Sequence, residues 1–294
     1  MKSALLRSQA RQSLGNCHER HPISGEIGYK TLKQRDRLMP QPLLPFGVEI
    51  TNLTPGLALD SLSIPQLRAW VAEHRVVVLR GFDEPSDEQM LTFCRQLGSV
   101  LEWEFGAVNE LQVKEDARNY LYTSREVPFH WDGAFVGKIP HYIFFHCRIA
   151  PSPGCGGETT FCDTVRLLQR ISPDERRRWE GIRITYSTDK VAHYGGSFVS
   201  PMLATHPVSG ESVLRFAEPV ADLNPVRLEI DGLPAPEQPL FLARMHELLN
   251  DPEGCYAHSW REGDVVLADN HALLHGRHAF TQPAARHLRR VNIL

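Results

Sequence analysis

The chain has 294 residues, 42% apolar and 23% charged, with a formal net charge of −3, a balance that predicts a packed globular core and offers no basic excess for nucleic acid. No apolar run is long enough to cross a bilayer, Ala4-Leu5-Leu6 is too short for the core of a secretory signal, and no block of like charge suggests a binding tail. Six cysteines, at positions 17, 94, 147, 155, 162 and 255, form no C-x-x-C pair and no zinc spacing, so free thiols in a cytoplasmic protein are expected.

In chain order, residues 1–43 are polar and weakly patterned, and the first twenty are Arg-rich with Glu19 as their only acid. They are expected to form an N-terminal extension, disordered or loosely packed. A compact domain over 44–294 begins near Pro45-Phe46-Gly47-Val48. Ser63 and Gln66 have capping-box spacing with Pro65 in the first turn, and Ile64, Leu67, Trp70 and Val71 give the helix an apolar face. Arg75 to Leu79 reads as a buried strand closed by Arg80-Gly81-Phe82. A second helix starts at Ser86, with Gln89 three residues on, and stops at Gly98.

Strand signals dominate from there. Tyr142-Ile143-Phe144-Phe145 is aromatic and branched, and a Pro/Gly turn covers Pro151 to Gly157. Short helices are expected after Asp163 and after Ser172-Pro173, the second ending at Gly181. Ile182 to Tyr186 alternates as a strand, Tyr194 to Phe198 reads as a Gly-rich lid, and a last helix covers Leu240 to Leu249. Val265-Val266-Leu267 and Arg286 to Leu294 are strands. The fold class that follows is mainly β with flanking helices, a double-sheet jelly-roll barrel. No Gly-rich phosphate fingerprint follows the first strand, which disfavours a nucleotide-binding βαβ fold.

His130-Trp131-Asp132 and, far downstream, His275 carry the chemistry. In extended chain, residues i and i+2 share a face, so His130 and Asp132 converge while Trp131 points away. Two imidazoles and a carboxylate hold a non-haem Fe(II) on one face and leave the other open. A chain this long carries on the order of one H-x-D by chance, so the spacing alone is weak. His271 and His278 compete with His275 for the third position.

Arg286 and Arg290 are four apart, so in the terminal strand both point the same way with Leu288 between them, while Arg289 faces the opposite side. Turned inward they need an anion, and a bidentate carboxylate suits a guanidinium; turned outward they are two ordinary surface cations. In the turn Gly156-Gly157-Glu158-Thr159-Thr160, the glycine pair would let backbone approach a ligand, and a threonine hydroxyl could donate to the carboxylate an arginine clamps.

Together these segments resemble the taurine/2,4-D dioxygenase family of Fe(II)/2-oxoglutarate enzymes. The matching residues are His130-x-Asp132, Gly156-Gly157-Glu158-Thr159, and His275 followed by Arg286 and Arg290. Arg80-Gly81-Phe82 resembles the family's early segment. The resemblance implies a double-stranded β-helix, with His130, Asp132 and His275 binding Fe(II). It implies Arg286 and Thr159 on the distal carboxylate of 2-oxoglutarate, and Arg290 between co-substrate and substrate. The implied reaction couples O2-dependent decarboxylation of 2-oxoglutarate to hydrogen removal from a small molecule, ending in hydroxylation, desaturation or loss of a substrate carboxylate. Asp132 fills the position that halogenating relatives leave open, which favours oxygenation.

Asn119-Tyr120-Leu121-Tyr122-Thr123 leading into Val127-Pro128-Phe129-His130 is further similar to the dioxygenases of paerucumarin-type isonitrile pathways, which act on an isonitrile made from tyrosine. Trp103, Phe105, Asn119 and Arg290 are the candidate substrate residues, and an aromatic, anionic small molecule suits them. No nucleic-acid or membrane partner is expected, and a homo-oligomer is left open. Two alternatives stand beside this reading. One is a cupin-like metal enzyme that does not use 2-oxoglutarate; the other is a non-catalytic jelly-roll binding protein.

Overall fold

In a computed structural model of the chain, residues 38–191 and 194–294 are described. The expected extension lies outside them as far as residue 37. Its last residues belong to the domain, because Leu38–Pro42 is the first strand of the main sheet.

Among the described residues sixteen strands follow one another: β1 (Leu38–Pro42), β2 (Val48–Asn52), β3 (Val76–Arg80), β4 (Asn109–Gln112), β5 (Val127–His130), β6 (Tyr142–Ile149), β7 (Thr159–Asp163), β8 (Arg183–Val191), β9 (Tyr194–Pro201), β10 (Leu203–Thr205), β11 (Ser212–Leu214), β12 (Arg227–Asp231), β13 (Cys255–His258), β14 (Val265–Asp269), β15 (Leu273–Arg277) and β16 (His287–Ile293). The main sheet has the order β1-β2-β3-β14-β6-β16-β4, and a second sheet runs β13-β7-β15-β5. All neighbours in both are antiparallel except β2 and β3. The two sheets bury one core between them, with Phe145, Phe161, Trp260, Val266, Leu273 and Leu288 at its centre. This is the expected double-stranded β-helix.

The helices lie where the sequence caps them. Ser63 Oγ accepts from Gln66 N at the start of α1 (Ile64–His74), and Ser86 forms a complete capping box with Gln89 at α2 (Asp87–Leu97). Asp163 caps α3 (Thr164–Arg170) and Ser172 caps α4 (Pro173–Glu180); α5 spans Gln238–Leu249. Helices α1 and α2 cover the outer face of the main sheet, so the sheet is buried on both sides. That is why Val76-Val77-Val78-Leu79 is apolar without alternation.

The period of two decides what faces inward. In β16, Leu288, Arg290 and Asn292 face the second sheet, whereas Val291 and Ile293 pack under the helices. Arg289, on the helix side as expected, bonds the Pro85 carbonyl and Asp87. The strand starts one residue later than expected. Arg286 therefore precedes it, and the register shifts between His287 and Leu288. The expected lid over Tyr194 to Phe198 is instead the start of β9, paired with β8.

Phe144 sits at the centre of the main sheet, fully buried against Phe93 at 6.0 Å. Phe144→Ala should lower the unfolding free energy by about 3–5 kcal/mol. Ile149→Ala, at a 42% exposed position of the same strand, should cost within about 0.5 kcal/mol. Denaturant unfolding checks both, and equal costs would contradict the assigned core.

Candidate active site

The inner faces of the sheets are polar at one end. His130 ends β5 and pairs in register with His275 of β15, with ring centroids 4.3 Å apart. Both point inward because Phe129 and Leu274, one residue away, pack into the core outside the second sheet. Past β5, Trp131 turns outward against Tyr186, 5.3 Å between rings, and Asp132 comes back in. Its Oδ1 lies 3.8 Å from Nε2 of both His130 and His275. Among the described residues this is the one group of three such donors, all within 4.8 Å of one another, that could hold a metal ion.

Neighbouring side chains fix these donors. Asn270 accepts from Asp132 N at 2.9 Å and donates to the carbonyls of Asp132 and Pro140, locking the turn. Asn292 donates to Asp132 Oδ2 at 2.8 Å, and Arg290 lies 3.0 Å from the same oxygen. His130 Nδ1 is 2.9 Å from the Pro128 carbonyl. An N–H must sit there, which leaves Nε2 with its lone pair. Burial lowers both imidazoles, His275 to about 3, so they are neutral at neutral pH. Burial also pushes the Asp132 carboxyl up. Arg290, the imidazoles and the Asn292 bond outweigh it and bring it down to about 2. His275 Nε2 is buried with no hydrogen-bond partner. An orphaned nitrogen beside a second imidazole and a carboxylate fits Fe(II). The competing histidines are engaged elsewhere, His271 with Arg215 and His278 with Glu158.

Behind this group lies a cavity of about 390 Å³, including its mouth, bordered by His130, His275, Thr159, Arg277, Arg286 and Arg290 together with apolar side chains. Arg286 Nη2 donates to Thr159 Oγ1 at 3.0 Å, and Trp260 Nε1 donates to the same oxygen at 3.0 Å. With both lone pairs taken, the hydroxyl hydrogen is left to donate. Burial, with Arg277 nearby, pushes Arg286 down to about 9. No carboxylate among the described residues lies within 4.0 Å of it, and its Nε is unpartnered. A buried cation without a counter-ion, beside a free hydroxyl hydrogen, fits a carboxylate ligand.

The other side of Asp132 opens on a cleft of about 820 Å³, including its mouth. Trp103, Tyr120, Trp131, Phe135, Tyr186 and Glu218 are among its walls, and His130, Asp132 and Arg290 are at its inner end. Of the expected substrate residues, Trp103 and Arg290 line it. Phe105 and Asn119 do not. Phe105 stacks on Trp103 at 6.1 Å and is 46% exposed, and the Asn119 oxygen is used to cap Leu121 N at 3.0 Å. Arg290 is not a free cation awaiting an anion, since its guanidinium is paired with Asp132. The Gly156-Gly157 pair lines neither of these two spaces; its close neighbours are Ala279 and the Phe280 ring.

Several residues escaped the sequence reading. Arg277, two residues after His275 on β15, donates to the carbonyls of Leu121, Thr123 and Arg125 at 3.0, 2.6 and 2.6 Å. It thereby pins the segment that roofs both spaces. Trp260, Asn270 and Asn292 are equally central. Only Asn292 left a signal, an inward position two residues past Arg290.

Comparison with known proteins accords with this geometry. The family model described as "Taurine catabolism dioxygenase TauD, TfdA family" matches residues 39–292. The chain is 46% identical over 268 residues to 3-((Z)-2-isocyanoethenyl)-1H-indole synthase of Fischerella ambigua, covering 90% of this chain and 98% of that protein. It is 37% identical over 254 residues to tyrosine isonitrile desaturase of Pseudomonas aeruginosa, covering 84% and 87%. It is also similar to the solved structure of PvcB, "an Fe, alpha-ketoglutarate dependent oxygenase from an isonitrile synthetic pathway", with TM-score 0.74 and 31% identity over 94% of this chain and 95% of that one. A cupin-like enzyme without 2-oxoglutarate and a non-catalytic binding protein are set aside accordingly. The chain belongs to the TauD/TfdA family, the Fe(II)- and 2-oxoglutarate-dependent oxygenases.

Proposed function

We propose that this enzyme desaturates the isonitrile of an aromatic amino acid, forming a double bond between the ring-bearing carbon and the carbon that carries the isonitrile. His130, Asp132 and His275 would hold Fe(II), with Arg286 and Thr159 on the distal carboxylate of 2-oxoglutarate. The observation that carries the reading is the two-sided site. A small cavity with an unneutralised arginine lies behind the His–Asp–His group, and an aromatic cleft lies in front of it. The isonitrile chemistry in the names of the two relatives supports the substrate class. The relative named for an isocyanoethenyl indole, at the higher identity, puts the isonitrile of tryptophan ahead of the tyrosine-derived one expected from the sequence.

With Fe(II), 2-oxoglutarate and O2 bound, the site supplies oxidative decarboxylation of the co-substrate and removal of hydrogen from the substrate. The protein's own part is position and exclusion of water. Asn292 holds Asp132 Oδ2 and Arg290 reaches both carboxylate oxygens, with Oδ1 turned toward the imidazoles. Trp260 and Arg286 orient the Thr159 hydroxyl. Arg277 fixes the roof that closes both spaces. A cytoplasmic setting belongs to the same proposal, supported by the free thiols of Cys94, Cys147, Cys155, Cys162 and Cys255.

Anaerobic addition of Fe(II) and 2-oxoglutarate should give a visible charge-transfer band, lost in Arg286→Ala at the same co-substrate concentration; a band unchanged in that variant contradicts the assigned carboxylate partner. Asn292→Leu should weaken Fe(II) binding about 10- to 100-fold in anaerobic calorimetry, and parent affinity would remove it as a support of Asp132. In a panel of amino acids and their isonitriles, succinate release above background should follow the aromatic isonitriles. Release with free amino acids alone would refute the substrate class.

A further inference from the structure

Glu218 is a buried acid that the iron chemistry above does not use. It is 9% exposed and lines the aromatic cleft, where Asp132 is the one other acid. Its backbone N donates to the Phe129 carbonyl at 2.9 Å, and its Oε2 accepts from Phe129 N at 2.9 Å. It is thus laid along the free edge of β5, one residue from His130. Its Oε1 takes His246 Nδ1 of α5 at 2.7 Å. A carboxylate offers about four acceptor sites, so these two bonds leave acceptor capacity on a residue that lines a cleft with Trp103, Tyr120, Trp131, Phe135 and Tyr186.

The proposed substrate class has a matching property. When an amino acid becomes an isonitrile, its nitrogen loses its hydrogens, and its carboxyl group is ionised at neutral pH. The one hydrogen-bond donor left on the molecule is on the ring, the N–H of an indole or the O–H of a phenol. Glu218 also repels the substrate carboxylate, which disfavours placing that end beside it.

We propose that Glu218 is the specificity-determining acceptor for the ring N–H or O–H of the substrate, selecting donor-bearing rings over plain hydrocarbon ones and fixing which end faces the iron. This rests on the isonitrile reading above. The test pairs near-isosteric substrates: the isonitriles of tryptophan and of 3-benzothienylalanine, in which sulfur replaces N–H, and those of tyrosine and phenylalanine. Affinity is read by calorimetry on the metal-free protein, and kcat/KM by product formation in the loaded enzyme.

A bond to a charged acceptor predicts a preference of about tenfold to a hundredfold for the donor-bearing member. In Glu218→Leu the ratio should fall to near one. In Glu218→Gln, which keeps an acceptor for Phe129 N, it should fall severalfold. A parent that does not discriminate, or a preference unchanged in either folded variant, overturns the proposal. If neither member of either pair binds or turns over, the isonitrile reading fails, and this proposal fails with it. Turnover of both members without discrimination defeats the Glu218 role alone.

Discussion

The site depends on keeping one carboxylate charged inside a barrel. Asp132 stands where the two sheets open, with neutral imidazoles on one side and a guanidinium and a carboxamide on the other. Removing a charge from water costs several kcal/mol unless it is paired and hydrogen-bonded. Here β16 supplies both partners from one face, Arg290 and Asn292. The same strand face carries Leu288 into the core, so the packing that builds the barrel also aims the charges. Asn270 completes the arrangement by tying down the backbone of Asp132 itself.

Around the rear cavity the balance of charge is reversed. Arg277, Arg286 and Arg290 surround it, and only Arg290 has an acid beside it. Arg277 is satisfied by backbone carbonyls. Arg286 has a hydroxyl and lies 6.0 Å from the Trp260 ring. An interior with surplus positive charge is pre-set for a dianion, and a dicarboxylate supplies one. His130 and Arg290 line both the rear cavity and the aromatic cleft. The His–Asp–His group therefore forms the wall shared by the two spaces, the arrangement that the proposed coupled oxidation requires.

Much of this was legible in the sequence because it depends on short-range rules. Ser63, Ser86, Asp163 and Ser172 mark helix starts by caps that act within three residues. His130 and Asp132 converge because extended chain repeats every two residues. The alternation Leu288, Arg290, Asn292 follows the same rule, and it leaves Arg289 on the helix side. The positions that were misread depend on contacts across the fold. Arg277 bonds to carbonyls about 150 residues away in sequence, and a carbonyl carries no residue-type signal. A glycine pair such as Gly156-Gly157 would let backbone approach a ligand, yet the tight approaches are to Ala279 and Phe280. Arg290 borders both spaces, and its pairing with Asp132, 158 residues away, left no mark in the sequence. Tyr194 to Phe198 resembles a lid because its glycines hide the start of a strand whose partner is β8.

The central claim is that three side chains from distant parts of the chain share one Fe(II) with 2-oxoglutarate held behind it. Anomalous diffraction at the iron edge, from crystals grown anaerobically with Fe(II) and 2-oxoglutarate, measures this directly. The account predicts a single peak bonded to His130 Nε2, His275 Nε2 and Asp132 Oδ1, with the co-substrate's far carboxylate on Arg286 and Thr159. A peak elsewhere, or a co-substrate that leaves Arg286 without a carboxylate, would contradict it.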